Sequence, residues 1–438
     1  MELRGKTVAV HTLGCKVNIY ESEVMTGLLA KAGAVIVPFD GPADLYVINT
    51  CTVTNMADRK SRQMIHRAKK MNPEAVIVAC GCYVQVNEAG ILSDTGADLL
   101  LGNDEKNRIV EILEGYEEGA PERFVSDIAH APVITPMCLR ALSEHTRADV
   151  KVQDGCNQFC TYCIIPYARG RIRSKPIPDA VEETEKLAES GIREIVLTGI
   201  HLSSYGRDFE KKKTLLELIE AIHAVPGVDR IRLGSLEPRI VTEEFAKRLS
   251  ELPKLCPHFH LSLQSGSAAT LKRMNRHYTP DEYRESVAFL RKYFDHPAIT
   301  TDVIAGFPGE TEEEFAESYA FVREMGFYEL HVFQYSRRHG TVADRMEDQV
   351  PEDVKKERSG KLIALGKTMS EDYIRVRTGM PCEVLTEEPV LIGKKTYYTG
   401  YTKEYIRVLA ENCAGNEIIS GKLSKKGSFV TVQPLENT

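Results

Sequence analysis

Residues 154–174 read DGCNQFCTYCIIPYARGRIRS and follow directly on ADVKVQ, residues 148–153, whose alternating β-branched residues predict a strand. Cys156, Cys160 and Cys163 stand in the spacing CxxxCxxC. Three thiolates on one short loop can hold three irons of a 4Fe-4S cluster and leave the fourth open to a ligand. A structural zinc site favours CxxC pairs that supply four ligands, and no partner pair follows at the usual distance. The loop comes at the carboxyl end of a strand that opens a series, where barrel enzymes place their active sites.

Outward from that loop the series continues through REIVLTG (193–199), RIRLGS (230–235), HFHLSL (258–263), TTDVIAG (300–306) and ELHVFQYS (329–336), with helical segments such as 178–191 and 279–294 between them. Six strand-and-helix repeats predict a partial (β/α)6 barrel over 149–342. Pro178 sits where a first-turn proline is tolerated, and Gly191 where a helix can stop.

Upstream, TVAVHTL, AVIVPF, ADLYVINT, AVIVAC and DLLLG alternate with helical patterns, which predicts an α/β domain with a parallel open sheet over 1–115. Cys15, Cys51 and Cys82 each follow a predicted strand, so a parallel sheet brings all three to one edge, where open α/β folds bind ligands. Cys80 lies inside its strand and is left out of that set. The pattern dissolves over 116–148, read as a connector. Residues 343–375 read as a charged helical linker, and the short strand-like runs of 376–438 predict a small closed β-barrel. Cys382 and Cys413 read as buried or incidental thiols.

The chain has 438 residues, enough for two to four domains at roughly 100–200 residues each. Its 42% hydrophobic and 27% charged residues exclude a disordered or fibrous protein. A net charge of -7 excludes a general polyanion-coating protein, so any nucleic-acid contact needs a local basic surface. Eleven cysteines without a secretion signal argue for reduced thiols or metal ligands, and no apolar run approaches the ~20 residues of a membrane span. The expectation is a cytoplasmic protein with no membrane partner.

CxxxCxxC after the first strand of a partial barrel resembles the radical S-adenosylmethionine (SAM) superfamily. That resemblance implies that the open iron binds SAM and that an electron from the cluster cleaves it to a 5'-deoxyadenosyl radical. It further places Thr198 and Gly199 of LTGIHLSSYG at the methionyl amine and Asp302 and Gly306 of TTDVIAGFPGET near the adenine. Ser262 and Gln264 of HLSLQSGS face the barrel mouth if side chains alternate from His260. Glu237 in GSLEP and Arg276 in LKRMNRHYT are polar groups placed near SAM.

Two sets of three cysteines resemble the methylthiotransferases, which carry a second, auxiliary 4Fe-4S cluster in an N-terminal domain and a TRAM-type RNA-binding β-barrel at the C-terminus. TLGCKVNIYES (12–22), CIIPYARGRIRS (163–174) and FQYSRRHGT (333–341) resemble the branch that acts on N6-threonylcarbamoyladenosine beside the anticodon of tRNA. Lys16 and Val17 stand where the isopentenyladenosine branch has a glutamine-methionine pair. The resemblance implies that one SAM methylates a sulfur on the auxiliary cluster, that a second supplies the radical, and that methylthio replaces hydrogen at carbon 2 of the adenine. It also implies a tRNA anticodon stem-loop as partner and an electron donor such as a flavodoxin or ferredoxin. Arg169, Arg171, Arg173, Arg337 and Arg338 are candidates for phosphate or the threonyl carboxylate, since a guanidinium pairs with either bidentately. Lys394, Lys395 and Arg407, among Tyr397, Tyr398, Tyr401 and Tyr405, are RNA candidates in the tail. The alternatives are isopentenyladenosine in tRNA or a ribosomal-protein aspartate as substrate, and, in a different class, a non-catalytic iron-sulfur RNA-binding sensor.

Overall fold

The computed structural model describes residues 1–87, 95–117, 119, 121–139, 146–427 and 429–434. The strands β1 (Thr7–Thr12), β2 (Val35–Ile36), β3 (Leu45–Thr50), β4 (Val76–Gly81), β5 (Leu99–Leu101) and β6 (Glu122–Phe124) form a parallel open sheet in the order β2-β1-β3-β4-β5-β6. β3 and β4 are buried along their whole length, as strands covered on both faces must be. β6 comes from the stretch expected to be a connector, so that stretch lends the sheet an edge strand; its residues 140–145 lie outside the described residues.

The second unit is built on β7 (Arg147–Asp154), β9 (Glu194–Gly199), β10 (Arg230–Leu233), β11 (His258–His260), β12 (Ala298–Ala305) and β13 (Glu329–Gln334), with β8 (Arg173–Ser174) as a short antiparallel addition to β7. The six main strands run parallel in the order β7-β9-β10-β11-β12-β13, with single bridges at Ile231–Leu255 and Leu236–Leu261 joining the two halves. This is the expected partial barrel. Thr214 with Glu217, Thr279 with Glu282 and Thr311 with Glu314 each form a reciprocal capping box that fixes where the next helix begins. The helix Ile177–Glu189 ends two residues before Gly191, whose φ of 96° suits glycine.

The helix Glu352–Arg377 packs along β13 and delivers the chain to β14 (Pro381–Ile392), β15 (Lys395–Thr402), β16 (Arg407–Ala410), β17 (Ile418–Lys426) and β18 (Phe429–Pro434). These close into a barrel in the order β14-β15-β16-β18-β17. The small barrel sits against the amino-terminal ends of β9 and β10. Arg230 donates to the Tyr401 carbonyl at 2.9 Å, and Arg232 donates to the Lys403 carbonyl at 2.9 Å. Tyr401 and Tyr405 stack at 4.6 Å, with Arg147 4.8 Å above the first and Arg232 4.4 Å above the second.

Glu194 on β9 anchors this junction by accepting from Arg232 at 2.7 and 3.2 Å, all of it buried. Burial works against the charge of Glu194, but Arg232 and Arg230 outweigh it and hold the carboxyl below its ordinary range. Removing one partner leaves the others charged and dry. Glu194→Ala is therefore expected to destabilise the protein by about 3–5 kcal/mol at neutral pH, read as a lower thermal midpoint. A depressed carboxyl contributes stability above its unfolded titration and loses it on acidification, so the gap to wild type narrows as pH falls below 4.5.

Candidate active site

The cysteine loop leaves β7 at Asp154 and turns at Gly155, whose φ is 70° and where a Cβ would overlap the Arg171 carbonyl. Cys156 N donates to the Gly170 carbonyl at 3.0 Å and Cys163 N to the Cys160 carbonyl at 2.9 Å, which curls the loop back on itself. The segment after β11 clamps it from outside: Asn275, at φ 57°, donates to the carbonyls of Gln158 and Phe159 at 3.2 and 3.1 Å, and Thr161 N donates to the Met274 carbonyl at 3.0 Å. Arg276 donates to Cys160 Sγ at 3.3 Å, and Gln158 N points at Cys156 Sγ at 3.5 Å. Burial pushes the Cys156 thiol up to about 11 and the Cys163 thiol up to about 12, so iron must displace a proton at each.

Glu237, after β10, completes the mouth. Its carboxylate takes His201 Nε2 at 3.1 Å and Arg239 Nε at 2.7 Å. Burial opposes its charge, yet those hydrogen bonds hold the carboxyl down at about 2. Gln153 joins the first two strand ends by donating to the Asp154 and Gly155 carbonyls, 2.7 Å each, while accepting from His201 N at 2.7 Å. Gly199 lies beside Gln153, and Thr198 is buried in β9.

The second set of thiols lies at the carboxyl edge of the N-terminal sheet. Cys15 precedes the helix Lys16–Lys31, Cys51 follows β3, and Cys82 follows β4. A Cβ on Gly14 would stand 2.9 Å from Cys51 Sγ. Cys82 Sγ receives Arg169 Nε at 3.2 Å and Asn103 Nδ2 at 3.6 Å. Arg169 ends the short helix Ile165–Arg169 that leaves Cys163, so the two sets of thiols share one junction. Cys80 is fully buried in the core of the sheet, away from both sets. Among the described residues, the only three donor atoms of His, Cys, Asp or Glu within 4.8 Å of one another belong to His260, Asp302 and His331. Neither cysteine set is drawn in as tightly as one ion needs, which suits a cluster that spreads its ligands over several irons.

Residues 150–322 match the model of the Radical SAM superfamily, and residues 7–102 that of the Uncharacterized protein family UPF0004. The chain is 44% identical to the threonylcarbamoyladenosine tRNA methylthiotransferase MtaB of Bacillus subtilis, over 96% of this chain and 93% of that protein. It is 40% identical to the Thermotoga maritima protein of the same name, over 92% and 91%. The chain belongs to the radical SAM tRNA methylthiotransferase family. To a tRNA-2-methylthio-N(6)-dimethylallyladenosine synthase of Caldicellulosiruptor saccharolyticus the identity is 34%, over 99% of this chain and 91% of that protein. The radical SAM methyltransferase TsrM of Kitasatospora setae shares the fold at a TM-score of 0.55 and 17% identity, over 75% of this chain and 73% of that one. A radical SAM protein uses a 4Fe-4S cluster and SAM, and the thiol loop with its facing donors fits that cluster.

Three of the arginines expected to meet phosphate or the threonyl carboxylate are spent inside the protein. Arg169 is fully buried, donating to both Glu21 oxygens, Asp154 and Asn18 as well as to Cys82, so it offers no phosphate contact. Arg173 is buried against Asp104 at 3.0 Å. Arg338 is buried and bonded to Asp58 and Thr52, which ties the turn after β13 to the Cys51 loop. Those charges lie too deep for RNA. Arg171 is exposed and lies 4.6 Å over the Phe159 ring; Arg337 is exposed and pairs with Asp344 at 2.8 Å. Gly306, at φ 73°, packs closely on Lys355 of the long helix, where a Cβ would collide. Ser262 and Gln264 are half-exposed between buried neighbours, the alternation expected from His260, and Asp302 lies 3.3 Å from His260. Lys394 and Arg407 are exposed on the tail barrel, and Lys395 pairs with Glu411.

Sequence reading missed Glu21, Lys151, Asp154, Asn275 and His201. Lys151 alone carried a signal, as a charge in mid-strand where apolar neighbours predict burial. Asn275→Ala removes both bonds to the loop and places a Cβ residue at φ 57° without side-chain support. Iron release from the loop to a chelator is expected to quicken on the order of tenfold, with Asn275→Gly intermediate because it keeps the turn.

Proposed function

We propose that this protein replaces the hydrogen on carbon 2 of N6-threonylcarbamoyladenosine, beside the anticodon in tRNA, by a methylthio group. The observation that carries this reading is the difference in likeness: 44% and 40% identity to relatives named for that nucleoside, against 34% to one named for dimethylallyladenosine. Two clusters are part of the proposal, one on Cys156, Cys160 and Cys163 and an auxiliary one on Cys15, Cys51 and Cys82. When bound, these clusters and SAM supply the one-electron chemistry, methyl group and sulfur that an unactivated aromatic C–H bond demands.

The chain's own part is placement and charge. Arg276 and the Gln158 amide aim donors at Cys160 and Cys156 and so fix where those two sulfurs stand. Arg169 does the same at Cys82, while its other nitrogens bond Glu21 and Asp154 and fix the spacing between the two thiol sets. Holding reactants at a set separation is worth several kcal/mol of barrier, roughly 7–11 at the extreme, so the rigid junction is a catalytic asset. Anticodon loops suit the site because their bases can be splayed out into a pocket. Arg171, Lys394 and Arg407 are exposed cations of the candidate set for phosphate, whereas Arg337 and Lys395 are paired with Asp344 and Glu411.

After anaerobic reconstitution with iron, sulfide, SAM and a reductant, nucleoside mass spectrometry should show methylthio gain on tRNA carrying threonylcarbamoyladenosine and not on tRNA carrying isopentenyladenosine. Cys160→Ala is expected to abolish 5'-deoxyadenosine formation. Cys51→Ala is expected to keep part of that formation while methylthiolation stops, and retained product in that variant would remove Cys51 from the ligand set. Deoxyadenosine from the wild type also separates an enzyme from a sensor.

A further inference from the structure

β12 and β13 each turn one face to the helices and the other to the barrel interior. On β12, Thr301, Val303 and Ala305 are buried, while Asp302 and Ile304 are half-exposed. On β13, Leu330 meets Gly366 of the helix Glu352–Arg377, so His331 and Phe333 stand on the opposite, inward side, and both are exposed. The parallel register puts Asp302 beside His331 and Ile304 beside Phe333. Ile304 and Tyr162 of the cysteine loop pack against one cluster of Met274, Phe307, Tyr335 and Ala343, and Asp302 and His331 lie one pleat repeat deeper than Ile304, about 7 Å along the strands.

This inward face carries polar side chains beyond the cysteine loop. His260 is held at both nitrogens, Nδ1 3.0 Å from Thr300 Oγ1 and Nε2 3.3 Å from Asp302 Oδ2. His331 lies beside it, ring centroids 5.7 Å apart and planes at 31°. Among the described residues the His331 ring has no hydrogen-bond partner, although its nitrogen, the His260 nitrogen and the Asp302 oxygen lie within 4.8 Å of one another. Phe333, half exposed at 50%, is an apolar ring next to these polar groups in an interior that a ligand must enter.

We infer that this wall is the subsite for the substituted adenine, with Phe333 as the stacking surface and His331 as the donor to the polar end of the N6 substituent. The inference rests on the reading above and deepens it. A threonylcarbamoyl group ends in a carboxylate and a hydroxyl, which an imidazole N–H can meet, while His260, locked by Asp302 and Thr300, sets the floor of the pocket. An isopentenyl group offers no polar atom, and its entry would leave His331 unpaired. A site built to hydrogen-bond a group rejects the analogue lacking it far more strongly than an apolar pocket rejects a misfit. The wall thus selects between the two nucleosides by hydrogen bonding.

The test is binding, with the iron-loaded protein and SAM, of two anticodon stem-loop RNAs that differ only in threonylcarbamoyladenosine against plain adenosine. Wild type is expected to bind the modified RNA at least tenfold more tightly. His331→Phe, which keeps a ring and loses the donor, is expected to bind both alike with unchanged iron content and SAM cleavage, whereas His331→Gln keeps part of the preference. A wild type without preference, or a His331→Phe variant that retains it in full, overturns the inference. Methylthio formation on the same RNA is scored separately: its absence from wild type defeats the proposed reaction, while the binding difference alone decides the wall.

Discussion

The carboxylate of Glu21 is the constraint on which the arrangement depends. It lies in the first helix of the N-terminal unit, fully buried, and meets Lys106 of its own unit and Lys151 and Arg169 of the barrel. Burial opposes its charge, and three cations reverse that, holding the carboxyl well below the ordinary range. A buried charge is tolerated only when its partners are in place, and those partners come from two units. The carboxyl edge of the open sheet is therefore tied to the carboxyl end of β7, where the cysteine loop begins. Arg169 extends the same network to Cys82 Sγ, so one set of charges both docks the units and touches a sulfur.

Around this junction the chain uses local strain and local bonding to shape a loop that must hold three thiols apart. Gly155 lets the backbone turn where any side chain would strike Arg171, and Asn275 spends its amide on two loop carbonyls. The clamp comes from more than 100 residues downstream, so the loop is finished only once the barrel has closed past β11. Arg338 makes a second tie, from the turn after β13 to Thr52 and Asp58 beside Cys51. The barrel mouth is thus fastened to the sheet at both of its sides.

The opposite end of the barrel shows how the same residue types serve another purpose. Tyr401 and Tyr405, with the tail's cations, suit RNA stacking by composition. In the structure they lie under Arg147 and Arg232 and plug the amino-terminal end of the strands. Burial of an arginine against an aromatic ring is favourable wherever it occurs, and composition does not say which surface supplies the ring. Lys394 and Arg407 are exposed on the tail, Arg407 opposite Tyr401 in the register of β15 and β16.

The sequence by itself determined the layered architecture and the positions of the six thiols. Strand and helix periods, capping threonines and the glycines after helices are local signals, and each acts within a few residues of where it is read. Cys15, Cys51 and Cys82 could be grouped because a parallel sheet sends all its strand ends to one edge, and CxxxCxxC because its spacing is short. Only the tertiary structure decided what the arginines do. Arg169 and Arg171 are two residues apart and look alike in sequence, yet one is sealed against Glu21 and the other lies over Phe159 in solvent. Which cation meets which carboxylate depends on the docking of two units and on desolvation at their contact, and neither quantity is local to any stretch of the chain.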